Sequence, residues 1–152
     1  MRSAGIILGL GLGGFVDGIL LHQILHWHNM GSAVVPPTTM DALLQNMRWD
    51  GLFHAAVWLL TVVGVYRLLA EARRGAPVPG GRAFTGLLLL GWGAFNLAEG
   101  VTDHHLLGLH HVRDLPAHVP VLDWLFLGVG GVGFLAVGWL LSREPDFSGA
   151  RS

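Results

Sequence analysis

The chain has 152 residues, 52% hydrophobic and only 12% charged, and its nine arginines, with no lysine, against ten acidic residues leave a net charge of -1. Soluble domains carry about 25% charged residues. So little charge, arranged in long apolar runs, excludes disorder, a nucleic-acid-binding module and most soluble enzymes, and points to an integral membrane protein.

Hydropathy predicts four spans. The first covers about residues 4–25 and is apolar except for Asp17, His22 and Gln23; at 1.5 Å per residue its roughly 33 Å crosses a bilayer core. An apolar run after Arg2 also suits a signal peptide, but no small-residue cleavage site is evident. The second span, about 50–69, is approached by an amphipathic turn or two, with Thr39 as N-cap and Asp41 in the first turn, where negative charge suits the helix dipole. The third covers about 84–107. The fourth, about 122–141, follows Pro120 and carries one charge, Asp123. The fold class is therefore all-α: one domain over 1–152, an integral membrane four-helix bundle. No sequence repeat is apparent.

Residues 67–82 hold Arg67, Arg73, Arg74 and Arg82, whereas the other two loops hold only Arg48 and Arg113. By the positive-inside rule the 67–82 loop is cytoplasmic, and Arg2, Arg143 and Arg151 place both termini on that side. Gly5, Gly9 and Gly13 recur every four positions in the first span, and glycines populate the fourth. Such spacing lets helices approach closely; packing within the monomer accounts for it first, and a homo-oligomer is the alternative.

The ionisable residues then gather at one depth. Asp17, His22, His26 and His28 lie in the outer half or exit of the first span, Asp50 and His54 at the outer end of the second, Glu99, Asp103, His104, His105, His110 and His111 at that of the third, and Asp123 at that of the fourth. Burying such groups in lipid is costly, so they face a bundle interior, find partners and mark function. At 100° per residue Glu99 and Asp103 share a face with Asn96 and, if the helix lasts, with His110. Asn46, Asp50 and His54 form a second stripe and His22 with His26 a third, while Asp17 aligns with His28.

Histidines four apart on a helix can chelate one ion, and patches on different helices can build one or two metal centres in a bundle. The candidate ligands are His22, His26, His54, His104, His110 and His111, with Asp17, Asp50, Glu99 and Asp103 as ligands or as groups that orient the imidazoles. Copper, iron and zinc all accept such a set. Met30, Met40 and Met47 near the first outer loop add soft thioethers that suit Cu(I), although apolar contact explains each alone. His28, His105 and His118 read individually as hydrogen-bonded interfacial residues, Asp114 as a loop residue and Asp123 as an N-terminal helix charge. With no cysteine, disulfides, thiolate sites and a cysteine nucleophile are excluded. No nucleophile elbow or phosphate-binding loop is present either.

The segments GFVDGILLHQILHWHNM (14–30), WDGLFHAA (49–56) and FNLAEGVTDHHLLGLHHVRDLP (95–116) resemble the signature stretches of a family of small bacterial four-helix membrane proteins described only as a domain of unknown function. The resemblance implies a multi-pass protein of the bacterial plasma membrane. It further implies respiratory oxidase or copper-linked assembly proteins as partners, beside the lipid bilayer. A looser likeness to membrane di-iron hydroxylases and desaturases rests on the HxxxH of His22 and His26; His105, His110 and His111 are too widely spaced for the HxxHH form, a third box is missing, and those enzymes work from the cytoplasmic side. The expectation is a transition-metal site at the outer face that serves metal binding or delivery. The alternatives are a metal-dependent oxidoreductase and a structural subunit with a polar packing network. The inner halves hold no charged residue, which counts against a transport path.

Overall fold

The computed structural model describes residues 1–143; Arg151, used above for orientation, lies outside them. These residues form four long helices, α1 (Arg2–Ile24), α2 (Met40–Arg73), α3 (Gly81–Leu106) and α4 (Pro120–Ser142), each apolar enough to cross a membrane, with no strand among the described residues. The expected bundle is present, and its helices run past the apolar cores of the spans. The 34 residues of α2 extend about 51 Å, well beyond a ~30 Å hydrocarbon core. Thr39 caps it as expected, its Oγ1 accepting from Ala42 N–H at 3.2 Å.

The two central helices, α1 and α3, pack on each other; α2 covers α1 and α4 covers α3. The interior is built from small residues: α1 buries Ala4, Gly5, Gly9, Gly11, Gly13 and Gly14, while Trp58, Leu59, Tyr66 and Leu140 are exposed on the outside. That inversion of the soluble pattern suits lipid, where packing rather than water exclusion joins helices. The closest approach is at Gly9 and Gly91: a Cβ on Gly9 would stand 2.1 Å from the Leu88 carbonyl oxygen, and one on Gly91 2.0 Å from that of Ile6.

The Met1 ammonium pairs with Glu71, Arg2 donates to the Ser142 carbonyl, and Arg67 reaches Ser3. The N-terminus, the end of α2 and the end of α4 therefore meet at one end of the bundle. The loops 25–39 and 107–119 close the other, where the histidines lie.

Three helices widen toward this histidine end into π geometry, over Asp17–Ile24, Gly100–Leu106 and Phe126–Gly133. With hydrogen bonds from residue i+5 to i, residues five apart share a face. α1 and α3 then end alike. Leu25 N–H donates to Leu20 O and Leu107 N–H to Thr102 O, both at 2.8 Å. The chain next turns through the left-handed region, at His26 (φ 50°) and Gly108 (φ 57°). The loops then bond each other reciprocally: Ala33 N–H to Leu109 O at 3.0 Å, and Leu115 N–H to Trp27 O at 2.8 Å. Every one of these pairs is 82 positions apart: 25 and 107, 20 and 102, 26 and 108, 33 and 115, 27 and 109. A structural repeat thus underlies a sequence in which none is apparent: the chain is built from two similar halves. Beyond a few motif residues the halves share little sequence, which is why composition and hydropathy hide them.

Candidate metal centre

Where α1 widens, Asp17 and His22, five apart, come onto one face, with His22 Nε2 3.1 Å from Asp17 Oδ2. In α3 the same widening sets His104 Nε2 3.0 Å from Glu99 Oε1. The stripe expected from 3.6 residues per turn does not form: Glu99 meets His104 rather than Asp103, because the local period is longer. The helices end before His28 and His110, so loops carry these two rings inward. There they stack on each other, with centroids 4.4 Å apart. His28 lies edge-on to His22 at 4.3 Å and His110 edge-on to His104 at 5.0 Å.

Two groups of potential ligand atoms result, Asp17 with His22 and His28, and Glu99 with His104 and His110; within each, the atoms all lie inside 4.8 Å of one another. Two donors each about 2.1 Å from one ion stand roughly 3.0 to 3.4 Å apart in octahedral or tetrahedral geometry. The carboxylate to imidazole separations of 3.1 and 3.0 Å fall in that range, and His110 Nε2 stands just beyond it, 3.5 Å from Glu99 Oε1. A third group joins His111, His118 and Asp123 nearer the surface. His118 Nε2 lies 3.0 Å from Asp123 Oδ2, and the His111 and His118 rings stack at 3.9 Å.

Several buried polar atoms of the centre have no partner within the protein. His28 and His110 are 0% exposed, yet His28 Nε2, both nitrogens of His110, Asp17 Oδ1 and Glu99 Oε2 have no hydrogen-bond partner. Buried polar atoms are nearly always paired. Burial, the largest cause, pushes His28 down to about 4, and with neighbouring imidazoles it holds His110 well below the ordinary histidine value. Both rings are therefore neutral at physiological pH, the form whose lone pair binds a metal.

Outer partners orient the rings. His22 Nδ1–H donates to Asp50 Oδ1 at 3.0 Å, leaving Nε2 toward Asp17. Asp50 also accepts from Asn29 Nδ2 and Met30 N–H, both at 2.7 Å. On the other side Asp123 Oδ1 accepts from Val112 N–H at 2.8 Å and lies 3.3 Å from His104 Nδ1. Asn46, fully buried, accepts from Gly31 N–H and donates to Val35 O, pinning the first loop on α2.

The structure thus brings together Asp17, His22, Glu99, His104 and His110 of the expected ligands, with Asp50 beside His22 and His111 in the outer group. It does not bring in three others. The His22 and His26 chelate is not formed, since the chain leaves the helix between them; His26 faces a pocket of about 730 Å³ that also reaches Asn29, Met47 and Asp50. His54 lines the same pocket, its Nδ1–H directed at the Asp50 carbonyl at 2.7 Å. Asp103 joins none of the three groups. Conversely, His28, His118 and Asp123, read individually as interfacial or helix-end residues, belong to the groups. The signal that finds His28 is a motif present twice, an acidic residue followed by Gly, three residues, His, five residues and His, at 17–28 and 99–110.

Four apolar helices around a buried histidine and carboxylate cluster define a multi-pass membrane protein. The chain belongs to the family described as predicted membrane protein (DUF2243), whose model matches residues 4–145. Neither a curated protein nor a solved structure matches it.

Proposed function

We propose that the protein holds a transition metal in this centre and serves metal binding or delivery. The observation that carries the reading is His110, fully buried with neither ring nitrogen hydrogen-bonded, amid carboxylate oxygens and imidazoles spaced as ligands of one ion. Nitrogen and oxygen donors without thiolate suit iron, copper or zinc. The arginine bias, with Arg67, Arg73, Arg74 and Arg82 at the opposite end, supports an orientation in which the centre faces outside across a bacterial plasma membrane. Resemblance to small membrane proteins that accompany terminal-oxidase and copper-linked assembly supports delivery to a respiratory oxidase. A second reading, a metal-dependent oxidoreductase, draws on the pocket that reaches His22 and Asp50, room for a small substrate beside the ligands.

The test is elemental mass spectrometry with an ultraviolet-visible spectrum on protein purified in detergent without a histidine tag. Stoichiometric metal, lost in His22→Ala with His110→Ala, is the expected result. No metal after incubation with each ion would overturn the reading and leave a polar packing network.

A further inference from the structure

The centre is built twice, and its halves correspond residue by residue. The spacing of 82 that relates the loops also relates Asp17 to Glu99, His22 to His104 and His28 to His110. The supports follow it. Met30 and Val112, again 82 apart, donate their N–H groups to Asp50 and Asp123 at 2.7 and 2.8 Å. Asp50 and Asp123 stand at the outer nitrogens of His22 and His104. Phe53 packs against the His22 ring at 5.6 Å and Phe126 against His104 at 5.4 Å; these phenylalanines follow the two aspartates by three positions each. The pairings are reciprocal, the pattern of a two-fold relation, and the stacked rings of His28 and His110 lie where the halves meet.

Charge is divided between the halves in the same way. Asp17, Asp50, Glu99 and Asp123 are 4%, 2%, 6% and 3% exposed, and no arginine is among the buried residues described. Four carboxylates kept from water need positive charge beside them; imidazoles that share their protons supply part of it, and a divalent ion in each half supplies the rest symmetrically. Each triad offers two imidazoles and one carboxylate, a donor set that would hold a divalent transition-metal ion.

Resting on the metal-binding reading above, we infer that the protein carries a two-ion centre: one divalent transition-metal ion on Asp17, His22 and His28, and a second on Glu99, His104 and His110, each half oriented by its own aspartate, Asp50 or Asp123. The halves differ outside the triads. Where the first has Asn29, the second has His111, 82 positions on, and only the second half carries the outer group with His118. The ions therefore occupy related but unequal sites.

Cobalt(II) is the probe, added to metal-free, untagged protein in detergent and followed by its visible bands and by elemental analysis after desalting. Two equivalents per chain are expected. Asp17→Asn with His22→Ala should keep one, and Glu99→Gln with His104→Ala should keep one with a different spectrum. A single equivalent in the unmodified protein, abolished by either double variant, would mean one shared ion and overturn this inference while leaving the metal-binding reading intact. No binding at all would overturn both. Should a double variant fail to fold, the titration of the unmodified protein decides: two equivalents support the pair, and saturation at one equivalent refutes it.

Discussion

Asp50→Asn changes one buried atom and isolates the orienting role of a carboxylate. Asp50 is 2% exposed and accepts three hydrogen bonds, from His22 Nδ1 at 3.0 Å and from Asn29 Nδ2 and Met30 N at 2.7 Å each. The amide keeps the shape and loses the charge that fixes the His22 tautomer and raises its basicity. Removing such a partner weakens metal affinity about 10- to 100-fold, equal to roughly 1.4 to 2.7 kcal/mol. The NH2 also faces a donor, which costs on the order of 1 to 3 kcal/mol of stability unless Asn29 turns its amide over. A competition titration against a coloured chelator reads the first effect, and thermal unfolding of the metal-free protein in the same detergent reads the second. An affinity within twofold of the unmodified protein, with folding intact, would refute the assignment of Asp50 as the group that positions His22.

Other outcomes follow from the same geometry. His26→Gly should leave metal stoichiometry unchanged and gain about 1 kcal/mol at the turn, because φ 50° strains a residue with a Cβ and the other half already uses Gly108 there; loss of an equivalent of metal would restore His26 as a ligand. Gly91→Val needs α1 and α3 to part by about 1.4 Å, from 2.0 Å to an ordinary 3.4 Å contact, and should cost about 1 to 3 kcal/mol in a thermal unfolding assay. In the metal-free protein, His28 is held to about 4 when folded against 6.5 when unfolded. The unfolded chain therefore binds the extra proton first as pH falls below 6.5, and stability drops progressively toward pH 4, by on the order of 3 kcal/mol; denaturation midpoints measured from pH 7.5 to 4.5 check the sign, and His28→Gln should flatten the slope.

Much of the fold is legible in the sequence, because lipid imposes simple demands: uninterrupted apolar length, and polar groups confined to one end. The chemistry at that end is legible only by residue type. A helical wheel at 100° per residue assigns Glu99 to Asp103 and His22 to His26, yet the period lengthens at Asp17 and Gly100. Asp17 then meets His22 and Glu99 meets His104. His28 and His110 escape any wheel, since they arrive on loops fixed by contacts from the other half, such as His28 Nδ1 donating to Val112 O at 2.9 Å. Asp123 looks like a helix-start charge because its partners, Val112, His104 and His118, come from elsewhere in the chain.

The crossed hydrogen bonds between the two loops at the histidine end couple the halves of the centre. His28 and His110 hang from these loops, and Ala33 to Leu109, Leu115 to Trp27, and Ser32 Oγ to Asp114 at 2.7 Å fasten one loop to the other. These bonds tie the positions of the two rings to each other. Breaking one of these bonds would therefore loosen both halves of the centre together, since local stability is shared across the bonded segments.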